Sequence, residues 1–312
     1  MTSEKNLVLN RRISGIKVWP YVFCAPFVLS YLAFNLFPTV YSFYISLFDW
    51  NGISPKVFTG FDNYIRLWTK DPLFFKSILN TFTIMLMSIP FQITFGLLLA
   101  HFVFNLRKGK QFYQTVTFMP YITAPVAIGF IFSYIYDWQH GYINTILINL
   151  GIINEGIYWL QTPGLAKFVV ANMIVWRMTG YCMIIYMAGM TSIPIEIYEA
   201  ATVDGASKIQ TFFRITLPQL KNITTFLVVT AIINGLQMFD EAVMLYAGSG
   251  LSNQYVGGPE NSVLTIIWKF YDDTFKSNMM LGYGASISYS LFIIIVILSI
   301  ISYRVTNGKG ND

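Results

Sequence analysis

Charge is scarce in this sequence. Lysine, arginine, aspartate and glutamate make up 11% of its 312 residues, against roughly 25% in a typical soluble domain. A soluble chain of this length needs a charged surface that these residues cannot supply, which excludes a soluble enzyme and a disordered protein. Cysteine is scarcer still. Cys24 and Cys182 both lie in apolar stretches, with no Cys-x-x-Cys pair, so a disulfide scaffold and a thiolate metal site are excluded too. The two histidines, His101 and His140, stand far apart and make a poor ligand set. There is no Gly-x-x-x-x-Gly-Lys-Ser/Thr loop to cradle phosphates, no His-Glu-x-x-His and no Gly-x-Ser-x-Gly turn. We therefore expect no catalytic residues, no metal and no ATP hydrolysis by the chain alone.

Apolar residues are what the sequence has in abundance, 55% of the total, with 17% aromatic. Six runs are long and apolar enough to cross the roughly 30 Å hydrocarbon layer as helices: 18–47, 77–106, 112–136, 165–191, 222–247 and 283–303. The expected fold is an all-α membrane protein with six transmembrane helices. The first run carries Pro20, Pro26 and Pro38, which predicts a kinked or tilted helix. It far exceeds the 7–15 residues typical of a signal-peptide core and reads as an uncleaved span.

The net charge of +5 is read loop by loop rather than as a nucleic-acid signal, and no nucleic acid is expected as a partner. With the N-terminus inside, the cytoplasmic segments hold Lys5, Arg11, Arg12, Lys17, Arg107, Lys108, Lys110, Lys208, Arg214, Lys221, Arg304 and Lys309. The opposite side holds Lys56, Arg66, Lys70, Lys76, Lys167, Lys269 and Lys276. The asymmetry favours a multi-pass membrane protein with both termini cytoplasmic and lipid around it. The external loops at 48–76, 137–164 and 248–282 read as solvated linkers or as a surface for an external partner.

The connection between the fourth and fifth runs differs from an ordinary loop. Ser192 can cap a helix whose first turn accepts Pro194, with Ile195, Tyr198 and Thr202 on one face. Ala200 and Ala201 leave room for close approach, Gly205 permits a sharp turn, and Ser207 can cap a second short helix that Pro218 ends. A capped hairpin about 20 residues long, where a few polar residues would do, predicts a docking surface for a cytoplasmic partner.

Three stretches of this hairpin, Glu199-Ala200-Ala201, Asp204-Gly205-Ala206 and Ile215-Thr216-Leu217-Pro218, resemble the EAA loop of permease subunits in binding-protein-dependent ABC importers. Further matches point to the carbohydrate branch, the maltose-type permeases: Ala25-Pro26, Phe61-Asp62-Asn63-Tyr64, Asn80-Thr81, Met119-Pro120 and Leu236-Gln237-Met238-Phe239-Asp240. The resemblance covers nearly the whole chain. It implies a MetI-like permease fold with one extra N-terminal helix: an N-terminal tail, span and external loop over 1–76, a core over 77–303 with a coupling loop at 192–221, and a cytoplasmic tail over 304–312. It departs from the family where 248–256 precede Gly257-Gly258-Pro259, which resembles an insertion in an external loop.

The resemblance also implies a bacterial inner membrane and partners: a second homologous permease, two cytoplasmic ABC ATPase subunits that bind ATP and magnesium, and an extracytoplasmic sugar-binding protein. Glu199, Ala200, Ala201, Asp204 and Gly205 would couple to the ATPase. A sugar pathway needs hydrogen-bonding groups and aromatic platforms in an otherwise apolar cavity. Trp176, Tyr181, Asn234, Gln237 and Asp240 are the candidates, Tyr181 through its position relative to the Glu-Ala-Ala. Arg177, Asp240 and Glu241 are ionisable within predicted spans; pairing of Arg177 with Asp240 at similar depth or lining of the cavity is expected, with proton coupling as the rival reading. Permeases for glycerol phosphate or polyamine, and a secondary transporter, are the alternatives.

Overall fold

The computed structural model describes residues 18–251, 256–276 and 279–307. The basic N-terminal tail, Lys309 and residues 252–255 of the expected insertion lie outside them. Among the described residues, four helices are long and apolar enough to cross a membrane: α1 (Val18–Ser46), α3 (Pro72–Phe104), α7 (Pro163–Thr191) and α13 (Leu281–Asn307, apolar through Arg304). Two bent pairs raise the number to as many as six if each is one span. The first is α4 (Lys110–Ile122) with α5 (Pro125–Ile135), bent by 95°. The second is α9 (Lys208–Gln219) with α10 (Lys221–Leu236), bent by 63°. Shorter helices connect them: α2 (Asp62–Lys70), α6 (Tyr142–Asn149), α8 (Ile195–Val203), α11 (Asp240–Gly248) and α12 (Ile266–Tyr271). One antiparallel pair, β1 (Phe48–Asp49) and β2 (Val57–Phe58), sets Phe48 opposite Phe58.

The prolines have different effects in different runs. In α1 they do not break the helix. A π turn at Leu32–Leu36, closed by Phe37 N–H donating to Leu32 O, precedes Pro38 and takes up the missing hydrogen bond as a local widening. The sharp break falls instead in the third run, where Pro125 holds Thr123 and Ala124 in extended backbone and divides one expected helix into α4 and α5. The fifth run is also interrupted. It ends at Leu236 and restarts at Asp240, so 222–247 is α10 and α11 rather than one span.

Packing centres on α7. Gly96 on α3 faces Cys182, where an added Cβ would lie 2.4 Å from the Cys182 Cβ, and Gly180 faces α4, where one would lie 1.9 Å from Thr117 O. Small residues let these backbones approach where lipid offers no hydrophobic drive for association. Three apolar clusters result. One joins α5, α7 and α11 through Phe132, Val169, Met173 and Leu245. A second joins α3, α7 and α10 through Ala100, Met183, Tyr186 and Leu227. The third joins α3, α10, α12 and α13 through Phe74, Leu236, Ile266 and Ile287. Helix α1 stands largely outside them. Its C-terminal end meets α13, with Phe43 edge-on to Tyr289 at 5.1 Å and Tyr289 OH donating to Thr39 O.

A buried ion cluster ties the N-terminal ends of α3 and α13 to α12 and the turn after it. Asp71 Oδ1 caps α3 by accepting from Leu73 N and Phe74 N. Its Oδ2 accepts from Tyr283 OH at 2.5 Å and from Lys269 Nζ at 2.8 Å, and Lys269 also reaches Asp273 at 2.9 Å. Burial pushes the Asp71 carboxyl up, but the hydrogen bonds from Lys269 and Tyr283 and the Lys269 charge outweigh it and hold the group below the usual carboxylate range. The stabilisation is therefore fully present above the unfolded value of about 3.9 and is lost as pH falls through the depressed folded value. Thermal melting of the detergent-solubilised protein should vary little on this account from pH 7 to about 4 and drop below it. Asp71→Asn should lower the neutral-pH midpoint and flatten that acid limb.

Candidate functional site

A cavity of about 490 Å³ lies where the fifth run breaks. Gln237, Met238 and Phe239 connect α10 to α11 in non-helical backbone, and all three line it. Irregular backbone within an apolar region is tolerated where it is buried in protein or meets a polar cavity, so break and cavity explain each other. The opposite walls come from Ser88 and Gln92 on α3, Tyr121 on α4, and Arg177 and Tyr181 on α7.

Tyr181, Asn234, Gln237 and Asp240 all face this cavity. Tyr181 stacks on Tyr121 with ring centroids 4.9 Å apart. Trp176 does not join them. It is 45% exposed and lines a separate groove with Asn172, Thr179, Pro120 and Phe95. The reason is helical geometry: Arg177 and Tyr181 are four apart and share a face, whereas Trp176 is turned about 100° away.

Arg177, the middle residue of α7, pairs with Glu241 rather than with the expected Asp240; Nη1 and Oε1 are 2.6 Å apart. Phe239 lies outside helical geometry ahead of α11, and the restart there sets Glu241 toward α7. Asp240, exposed toward the cavity, makes no hydrogen bond or ion pair among the described residues. Both carboxylates sit in the first turn of α11, where the helix dipole favours negative charge. Two buried polar atoms of the lining have no partner, Arg177 Nε and Gln92 Oε1. Ser88 and Gln92, four apart in an apolar run, are a polar pair on one helix face that sequence reasoning passed over. Their spacing was the available signal.

The second feature is the hairpin of α8 and α9. Helix α8 ends in a Schellman motif: Gly205 takes φ +76°, its N–H donates to Thr202 O, and Ala206 N–H donates to Ala201 O. Ser207 and Gln210 form a capping box at the start of α9. Ser192 does not cap α8. Its hydroxyl donates back to Gly189 O at the end of α7, and Pro194 occupies the cap position. The inward face of α8 is Ile197, Tyr198 and Ala201 rather than Ile195, Tyr198 and Thr202; Ile195 is 66% exposed, and Tyr198 pairs with Thr216 at 3.2 Å. Ala200, Ala201, Asp204 and Gly205 line a groove of about 700 Å³ with Glu196 and Arg214. Ala201 is buried within the chain. Glu199 is exposed outside the groove.

Broken apolar helices around a polar cavity, with a capped hairpin between two of them, define a membrane transport component. The family described as binding-protein-dependent transport system inner membrane component matches residues 71–307, and the chain belongs to it. It is 34% identical over 97% of both chains to the lactose transport system permease protein LacF of Rhizobium radiobacter. It is 33% identical to the arabinooligosaccharides transport system permease protein AraP of Bacillus subtilis (strain 168), over 94% of this chain and 90% of that one. Among solved structures, a chain of a bacterial ABC transporter involved in the import of the acidic polysaccharide alginate shares the fold, with a TM-score of 0.80 over 96% of this chain and 100% of that one at 21% identity.

Proposed function

We propose that this chain is the permease subunit of an ABC importer that carries a sugar or oligosaccharide into the cytoplasm. The observation that carries the reading is the mixed cavity at the α10–α11 break, where Asn234, Gln237, Asp240 and Gln92 offer hydrogen bonds beside the stacked Tyr121 and Tyr181. That lining suits polyhydroxylated solutes. The relatives named for lactose and arabinooligosaccharides support the same substrate class. A second permease completes the pathway, an extracytoplasmic protein delivers the sugar, and two ATPase subunits supply ATP and magnesium chemistry from below. Helix α1, outside the family match, is an added arm, and both termini are cytoplasmic. Screening sugars against the cognate binding protein, then measuring their uptake by the reconstituted transporter, tests the substrate class. Uptake of amino acids, polyamines or glycerol phosphate with no sugar transported would overturn it.

The hairpin of α8 and α9 is the coupling surface in this reading, with Glu199 as its exposed contact. Glu199→Lys reverses that charge, and Gly205→Val forces a β-branched residue into the left-handed region at a cost of about 1–3 kcal/mol. Both variants should insert in the membrane, lose uptake and co-purify poorly with the ATPase. Normal ATPase retention and uptake by Glu199→Lys would remove the coupling assignment.

A further inference from the structure

Three lining residues of the cavity carry formal charge: Arg177, Asp240 and Glu241. Glu241 consumes the arginine at 2.6 Å, with both side chains largely buried. Asp240 is left without a counter-charge among the described residues while facing the same space. Gln92, 4% exposed, presents an unpartnered Oε1, a neutral acceptor, on the opposite wall. The cavity therefore offers a sugar neutral hydrogen-bonding groups and one unopposed negative charge. A carboxylate can accept two hydroxyl hydrogens from an uncharged saccharide. A uronate, sulfonate or phosphate brought to the same place meets like charge, and the one cation in the lining is already committed.

Resting on the sugar reading above, we infer that this cavity selects by charge: it passes uncharged saccharides and rejects anionic ones, with Asp240 as the repelling group and the Arg177–Glu241 pair withholding the arginine that would otherwise attract them. Two charges about 6 Å apart at an effective dielectric of about 20 interact strongly enough for a preference of tenfold or more.

The test uses the assembled permease and ATPase complex in nanodiscs without its binding protein, so that delivery does not impose its own selection. Equilibrium dialysis compares digalacturonate with its uncharged dimethyl ester, two probes on the same skeleton, alongside lactose and arabinotriose. The ester should bind about tenfold or more tightly than the dianion. Asp240→Asn should cut that preference to about threefold or less, read as the ratio of the two affinities measured on the same variant. Glu241→Gln, which frees the arginine charge, should shift the preference toward the dianion. Raising the salt to about 1 M should narrow the wild-type preference by screening, a measurement that needs no variant. Equal binding of ester and dianion by the wild type, or an unchanged ratio in both Asp240→Asn and high salt, overturns charge selection and leaves the sugar reading standing. Binding of none of the uncharged saccharides removes the sugar reading and this inference with it.

Discussion

Lys269→Ala is expected to cost about 3–5 kcal/mol of stability, because it leaves two carboxylates at a buried site without the cation they share. Lys269 is 5% exposed and sits within 3 Å of both Asp71 and Asp273. With the ammonium gone, Asp71 keeps its hydrogen bond from Tyr283 but faces Asp273 across the space the lysine filled. The cluster joins the start of α3 to α12 and α13 at the far end of the chain, so its loss should loosen the N-terminal ends of α3 and α13 together with α12. Thermal unfolding in detergent should show a large fall in midpoint for Lys269→Ala. The triple variant Asp71→Asn, Lys269→Met, Asp273→Asn should recover most of it, since replacing a whole buried ion cluster is commonly near neutral while breaking one is not. An unaffected midpoint in Lys269→Ala would show that water already compensates these charges.

That cluster also shows where the sequence stopped being legible. Lys269 reads as one of seven basic residues on the external side, in a loop with no regular pattern. Its burial depends on Asp71, which a local reading treats as loop, and no window of residues contains both. The long helices were readable because length and apolarity suffice to mark a span: four runs fall on single long helices and the third on the bent pair of α4 and α5, whereas the fifth is split between α10 and α11. The capped hairpin was readable because Gly205, Ser207 and Gln210 act within a few residues of one another. The break at 237–239 was not, since it carries no proline. Its non-helical backbone is stable because the cavity beside it is polar, and that is a property of three other helices. Trp176 shows the same limit. Residue type favoured it, but only the facing of α7 decides between adjacent positions, and Arg177 marks the cavity side.

The Arg177–Glu241 pair gives the second large effect, and one that separates folding from transport. Arg177→Ala leaves Glu241, whose side chain is 14% exposed, without its 2.6 Å partner in the middle of an apolar helix bundle. Removing one member of such a pair costs about 3–5 kcal/mol when fully buried. The adjoining cavity can hydrate the orphaned carboxylate, which places the expected loss near the lower end, about 3 kcal/mol. Glu241→Leu alone should cost a similar amount by leaving the guanidinium unpaired, its Nε already lacking an acceptor. Arg177→Met with Glu241→Leu replaces the pair by apolar groups of similar volume. Its midpoint should return to within about 1 kcal/mol of wild type, giving a large favourable coupling in the double-mutant cycle. Uptake should not return with it. The double variant keeps the packing between α7 and α11 but turns one polar wall of the cavity apolar, so a sugar loses the groups that replace its hydration shell. Stability recovered without uptake assigns the pair to the pathway. Full recovery of both would reduce it to a structural clasp between two helices.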